Sequence, residues 1–303
     1  MTADRPLFGV ALMLGFCLLA PMGDAIAKHL GDLVPLGLLL LSRFAIQPLI
    51  LAPLARAQGA TFRQSRRVLW LTFLRTGLHI AGIGMMFTAL RFLPLADAIA
   101  IAFVMPFIML LLGRFVLGEE VGPARLAACI VGFVGTLLVI QPNFSEVGAP
   151  ALLPLGVAVV FALFMLVTRQ VAKEVDPIVL QATSGAMATV ILLPAMLVLG
   201  PVLPEFALAA LPPGTGPWLL ALGALGTFAH LLMTWSLRYA PSATLAPMQY
   251  LEIPVATVVG WVAFGDLPNG LAALGIVITV AAGLFVIARE RAIARAAAAP
   301  PAV

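Results

Sequence analysis

Charge is the scarcest commodity in this chain. Of its 303 residues only 10% are Asp, Glu, Lys or Arg, against 62% hydrophobic, and the mean hydropathy is +1.12. Soluble domains carry about 25% charged residues. Too little charge remains here to cover a water-facing surface, so lipid must be the solvent for most side chains. Cysteine is almost as scarce. Cys17 and Cys129 both fall within apolar runs, which argues against a disulfide framework or a metal cluster and reads instead as small buried apolar residues. Several catalytic signatures are missing as well. The sequence has no H-E-x-x-H and no G-x-x-x-x-G-K phosphate loop, and Ser184-Gly185 lacks the flanking glycine of a nucleophile elbow. Zinc hydrolysis, ATP hydrolysis and serine-hydrolase chemistry are therefore not expected, nor is a cofactor or a resident metal. The net charge of +4 and pI near 9.7 do not mark a nucleic-acid surface, because the basic residues are scattered through short loops without interleaved aromatics.

What the sequence does have is long apolar runs. A helix crosses about 30 Å of hydrocarbon with about 20 residues, and prolines and charges divide the chain into ten such segments. They lie at about 7–27, 35–55, 69–90, 96–116, 123–141, 152–170, 178–199, 217–237, 243–264 and 269–288. Connections such as Arg91-Phe92-Leu93-Pro94 and Arg238-Tyr239-Ala240-Pro241 are too short to join anything but antiparallel neighbours. Arg5, the run Leu7 to Ala20 and Ala25-Ile26-Ala27 imitate a cleavable signal peptide. The segment has a counterpart later in the chain, however, and is read as a retained first helix.

Lys and Arg concentrate on the cytoplasmic side of membrane proteins. With the N-terminus inside, 13 of the 17 basic residues fall in inside segments, Lys28 and Arg91 fall outside, and Arg43 and Arg75 lie within spans. Both termini are thus expected in the cytoplasm, which requires an even number of spans. The chain also repeats itself. Leu90-Arg91-Phe92-Leu93-Pro94 returns as Leu237-Arg238-Tyr239-Ala240-Pro241, Gly118-Glu119 as Gly265-Asp266, and Gly9-Val10-Ala11 as Gly156-Val157-Ala158, each 147 residues later; Pro106 and Pro254 correspond within one residue of that offset. Two halves follow, 1–147 and 148–303, of five helices each. Five is odd, so the second half enters the membrane from the opposite side. The expected fold class is an all-α membrane protein of ten transmembrane helices in two inverted-topology repeats, an architecture common among secondary transporters.

The ordered set Phe87 to Ala98, Pro106, Leu117-Gly118-Glu119-Glu120 and Gly132 to Gly135, with its looser second copy through Glu252-Ile253-Pro254 and Phe264-Gly265-Asp266, resembles the EamA-type drug/metabolite transporter superfamily. Gly265-Asp266 departs from the Gly-Glu of the first copy. The resemblance implies a bundle with cytoplasmic termini in the cell inner membrane and a central cavity lined by spans 1, 3, 4, 6, 8 and 9. It also implies transport of a small-molecule substrate by a monomer or homodimer. Amino-acid export is the first expectation, with other metabolites, nucleotide derivatives or drugs as alternatives. A membrane sensor or assembly partner is the competing class, although the short alanine-rich tail after Arg289 offers no output domain.

Ionisable groups at membrane depth usually face a cavity or a partner. Arg75 and His79, followed by Gly82 and Met86, form one stripe on span 3. Arg75 suits a substrate carboxylate or, equally, snorkels to the interface. His230, with Thr234 and Trp235 nearby on span 8, suits a polar wall or an interhelical hydrogen bond. Gln249, Tyr250 and Glu252 precede Pro254, whose missing N–H is expected to free a carbonyl and bend span 9. The expected substrate contacts are thus His79, Met86, His230, Trp235, Tyr250, Glu252, Gln249 and Arg75. Asp24 and Asp97 read as mouth or capping residues. Arg43 reads as half of a structural pair, since the resemblance puts span 2 outside the cavity.

Overall fold

The computed structural model describes residues 5–119, 121–140, 148–265 and 270–298. Glu120, Asp266 and the side chain of Asp97 lie outside the described residues. In chain order the helices are α1 (Pro6–Leu30), α2 (Leu36–Ala57), α3 (Arg66–Ala89), α4 (Leu95–Ala102), α5 (Met105–Leu117), α6 (Pro123–Ile140), α7 (Leu153–Ala172), α8 (Pro177–Leu199), α9 (Thr215–Tyr239), α10 (Ser242–Gln249), α11 (Glu252–Phe264) and α12 (Gly270–Ala298). Seven apolar stretches among the described residues are long enough to cross a membrane. The bundle has ten spans because α4 with α5, and α10 with α11, each make one interrupted crossing.

Local chemistry sets many of these boundaries. Ser65 caps α3 by accepting from the Val68 N–H at 3.2 Å, and Asp176 caps α8 by accepting from the Ile178 N–H at 2.9 Å. Gly118 and Gly265 end α5 and α11 at φ of +66° and +77°, a left-handed conformation that needs glycine. Inside the spans, threonine hydroxyls find the partner that lipid denies them. Thr72, Thr168, Thr227, Thr234 and Thr257 each donate to the carbonyl four residues back. Three exposed tryptophans, Trp70, Trp218 and Trp261, stand near helix ends, where an amphipathic ring favours the headgroup layer.

The two interrupted crossings differ from the continuous helices expected at 96–116 and 243–264. The helix stops after Ala102 and restarts at Met105; it stops again after Gln249 and restarts at Glu252. These bounds are related by the same 147 residues as the sequence landmarks, as are the two glycine caps. Pro106 and Pro254 therefore stand in the first turn of a new helix, where no helical N–H bond is owed, rather than kinking an old one. The Tyr250 carbonyl is not left bare, since the Ile253 N–H donates to it at 3.3 Å.

The most extensive helix contacts pair α1 with α9, α3 with α7, α2 with α8 and α6 with α12. Each pairing joins equivalent or exchanged positions of the two halves, as an inverted repeat requires. Small residues admit the closest approaches. A Cβ on Gly132 of α6 would lie 2.5–2.9 Å from ring carbons of Tyr250. We expect Gly132→Ala to lower stability by about 1–3 kcal/mol through overpacking. Gly77→Ala, whose methyl would meet nothing within 4 Å, should be neutral or stabilising. Thermal melting of the purified variants in detergent checks both.

Candidate functional site

Between the two halves lies a cavity enclosing about 700 Å³ of atom-free space, its opening included. Its walls come from α1, α2, α3, α4, the α4–α5 break, the start of α5, α7, α9 and the start of α11. Most of these contributions come from the half of the bundle remote from the face at which α1 begins and α9 ends, while Phe16, Ala229, His230 and Glu252 stand near mid-depth. The walls are mostly apolar. Phe16, Phe87, Phe103 and Phe161 supply flat faces, and Met86 and Met105 supply adaptable ones. Four ionisable groups interrupt them: Asp24, Arg43, His230 and Glu252. Met105 and Glu252 are repeat equivalents, both opening the second half of an interrupted span.

Arg43 is the best-anchored of the four. Its Nη2 donates to the Gly226 carbonyl at 2.8 Å and contacts His230 Nδ1 at 2.8 Å, while the Gln47 amide oxygen stands 3.5 Å from Nη1. Gly226 is required here, because any side chain would occupy the guanidinium's place. Asp24 lies within electrostatic reach of both Arg43 and Glu252. Among the described residues neither Asp24 nor Glu252 makes a side-chain hydrogen bond or ion pair. Two carboxyls and a guanidinium therefore share one apolar chamber without neutralising one another directly. An unpaired charge in such surroundings is expensive, and a charged or hydrogen-bonding solute relieves it.

Of the residues singled out from sequence, Met86, His230 and Glu252 line this chamber. His79 stands one layer behind it, its ring 4.4 Å from that of His230 and 4.5 Å from that of Phe164, with both nitrogens buried and unpartnered among the described residues. The other four lie elsewhere. Arg75 neither snorkels nor reaches the chamber. It is fully buried nearer the terminus-bearing face, donating to Thr168 Oγ1 at 2.8 Å, Ser184 Oγ at 2.7 Å and Gln181 Oε1 at 3.1 Å, over the Phe164 ring. Gln249 turns its amide toward Met165 and Met109 sulfurs. The Tyr250 hydroxyl donates to the Cys129 carbonyl at 3.1 Å. Trp235 packs against the Leu51, Ala55 and Ile178 cluster. Each is placed by the interruption of its span or by helix rotation, neither of which a linear reading resolves.

Asp24 and Arg43 are the lining residues that the sequence reading set aside. The signal was present: both are ionisable groups within apolar runs. Assigning span 2 to the periphery hid Arg43, whose long side chain reaches past α9 at the glycine that makes room for it.

Polar groups of the two halves meet nearer the terminus-bearing face. Below the Arg75 layer, Glu119 of the first half accepts from Ser242 Oγ and, at 3.3 Å, from Arg169 Nε; Arg169 also donates to the Leu237 carbonyl. Arg67 and Glu174 form an exposed ion pair at the same face.

The pattern of the EamA-like transporter family matches residues 7–141 and again residues 149–288. A riboflavin transporter of Rhizobium johnstonii is 31% identical over 221 residues, spanning 73% of this chain and 71% of that protein. An S-adenosylmethionine uptake transporter of Rickettsia prowazekii is 22% identical over 283 residues, 93% of each. One solved crystal structure superposes with a TM-score of 0.71 at 23% identity, covering 94% of this chain and 98% of its own, which shows a common fold.

If Arg43 anchors the chamber, Arg43→Gln should lower solute flux at least tenfold, the order of a lost charge-assisted hydrogen bond of about 1.5–3 kcal/mol. Flux in proteoliposomes, normalised to folded protein, measures it; wild-type flux would remove Arg43 from the site.

Proposed function

The chain belongs to the EamA-like transporter family, and from that premise we propose that it carries a small metabolite built from a planar nitrogen heterocycle and a polar chain. The observation behind this reading is the chamber itself: flat aromatic walls with four ionisable groups set among them. A heteroaromatic ring stacks on Phe16, Phe87, Phe103 or Phe161, while Arg43 meets its carbonyl or carboxylate oxygens and Asp24 or Glu252 meets its donors. Riboflavin and S-adenosylmethionine, the solutes for which the two relatives are named, both fit that description.

Amino-acid export is the second reading. One observation favours it: a guanidinium and two carboxyls in one chamber suit a zwitterion. The relatives' names give it no support, and the aromatic walls exceed what most amino-acid side chains fill.

The mechanism is alternating access between halves 1–147 and 148–303. With both termini in the cytoplasm and the protein in the cell inner membrane, as the distribution of Lys and Arg favours, the chamber opens outward and this is the outward-facing form. Glu119, Ser242 and Arg169 then join the halves on the cytoplasmic side and must part for the chamber to open inward. The breaks at Phe103-Val104 and Tyr250-Leu251 give each half a place to flex. A monomer suffices for this cycle, since the chamber lies within one chain; a homodimer would hold two chambers.

Proteoliposomes preloaded with unlabelled solute test the assignment by counterflow of labelled riboflavin, S-adenosylmethionine, leucine and glutamate. Exchange of a heterocyclic solute at least tenfold above empty liposomes, with amino acids near background, is the expected result. The reverse ranking would overturn the heterocycle assignment in favour of amino acids.

A further inference from the structure

The contact between Arg43 and His230 constrains where protons sit. A guanidinium carries donors only. His230 Nδ1 has two neighbours, Arg43 Nη2 at 2.8 Å and the Gly226 carbonyl at 3.2 Å. Facing the guanidinium donor at the shorter distance it accepts, the neutral ring holds its one proton on Nε2, and the Gly226 carbonyl stands where a proton on Nδ1 would be donated. The Nε2–H is buried with no partner among the described residues. The ring itself is only 5% exposed, yet it forms part of the chamber wall. The Nδ1 lone pair is thus occupied only while Arg43 points at it. Arg43 borders the same chamber, and among the described residues no carboxylate lies within ion-pair distance of it. A carbonyl or carboxylate oxygen on a bound solute is therefore a better partner for the guanidinium than a neutral imidazole.

We propose that solute binding and protonation of His230 are one linked event. The solute's acceptor draws Arg43 away from Nδ1, the freed lone pair takes a proton from chamber water, and one proton travels with each solute. When the solute leaves, Arg43 returns to Nδ1 and the proton departs to the same side. No covalent bond changes; a proton is taken up and given back. Linkage makes the effect reciprocal, so protonation also favours binding.

The charged and titratable surroundings of His230 are these. Arg43 comes from α2, Arg75 and His79 from α3, Asp24 from α1, and Glu252 from α11. Cys17 of α1 points to the Met248 carbonyl at 3.8 Å. From α7, Phe161 and Phe164 face the ring without charge, and Arg169 engages α9 two turns further on, at Leu237. Asp24 and Glu252 line the same chamber and balance the imidazolium once Arg43 is shared with the solute. His79 is in ring contact at 4.4 Å.

The inference rests on the transport reading, and one experiment separates the two. Purified full-length protein in weakly buffered detergent is titrated with riboflavin or S-adenosylmethionine between about pH 5 and 8, the range in which histidine changes charge. Bound solute and proton uptake, by a pH-indicator dye, are measured together. In the wild type about one proton should be taken up per bound solute, with affinity falling up to about tenfold per pH unit on the alkaline side. His230→Asn keeps an acceptor for Arg43 but cannot be protonated there. Its binding should weaken, its protons per bound solute should drop to none, and its pH slope should flatten. Glu252→Gln should bind more weakly yet keep the proton count. Binding without proton uptake in the wild type, or uptake that persists per bound solute in His230→Asn, overturns the linkage and leaves the transport reading standing. If His230→Asn does not fold, His230→Gln, which likewise cannot be protonated there, takes its place with the same expected loss of proton count. If neither probe binds, the heterocycle assignment and the linkage fall together.

Discussion

Hydrocarbon offers no hydrogen bonds. A backbone or side-chain polar group that enters it must find its partner inside the protein or remain in a water-filled space. The threonines that bond back onto their own helices, the capped helix starts and the burial of Arg75 among four side-chain oxygens are all responses to that constraint. Arg75 shows how far it goes. A guanidinium has five donors, and for this one on α3 the partners come from α7, α8 and α9. The result is a polar clasp that fixes four helices against one another just below the chamber.

The same constraint explains why irregular backbone occurs where it does. The half-helix junctions at Phe103-Val104 and Tyr250-Leu251 would be intolerable against lipid. Here they abut the chamber and the bundle interior, where neighbouring turns accept the displaced bonds. Each junction starts a new helix whose first turn owes no hydrogen bond, and each second half carries a proline there. The repeat preserves the helix bounds to the residue and the prolines to within one, yet the two copies differ in what they present: Met105 in the first half, Glu252 in the second. An inverted repeat supplies symmetrical machinery for moving; the departures from symmetry give the chamber its chemistry. Asp24, Arg43, His230 and Glu252 have Val171, Val190, Ile83 and Met105 as their repeat equivalents, and none of those is ionisable.

The chamber also separates two jobs that ionisable groups perform at membrane depth. Arg75 and the Glu119 cluster are saturated with protein partners and serve cohesion. Asp24 and Glu252 have no side-chain partner among the described residues, and Arg43 is held by neutral groups rather than by a carboxylate, which suits all three to the recognition proposed above. Burial does not distinguish them, since Arg43 and Arg75 are both almost wholly inaccessible. The partner inventory does.

Composition and periodicity alone determined that the chain lives in lipid, where its ten spans lie, and that it folds as two copies of one unit, because the need to bury about 20 apolar residues per crossing is written locally and repeats every 147 residues. They also marked His230, Glu252 and Met86, which lie on faces that the tertiary structure turns to the chamber. Only the tertiary structure decided that spans 4 and 9 are interrupted rather than bent, since proline fits both a kink and a helix start. It alone separated Arg75, held away from the chamber, from Arg43, which borders it, and it withdrew Gln249, Tyr250 and Trp235 from the chamber. Which face a membrane helix buries against its neighbours is set by packing across the two halves, and on helices apolar all round no stripe of sequence records it.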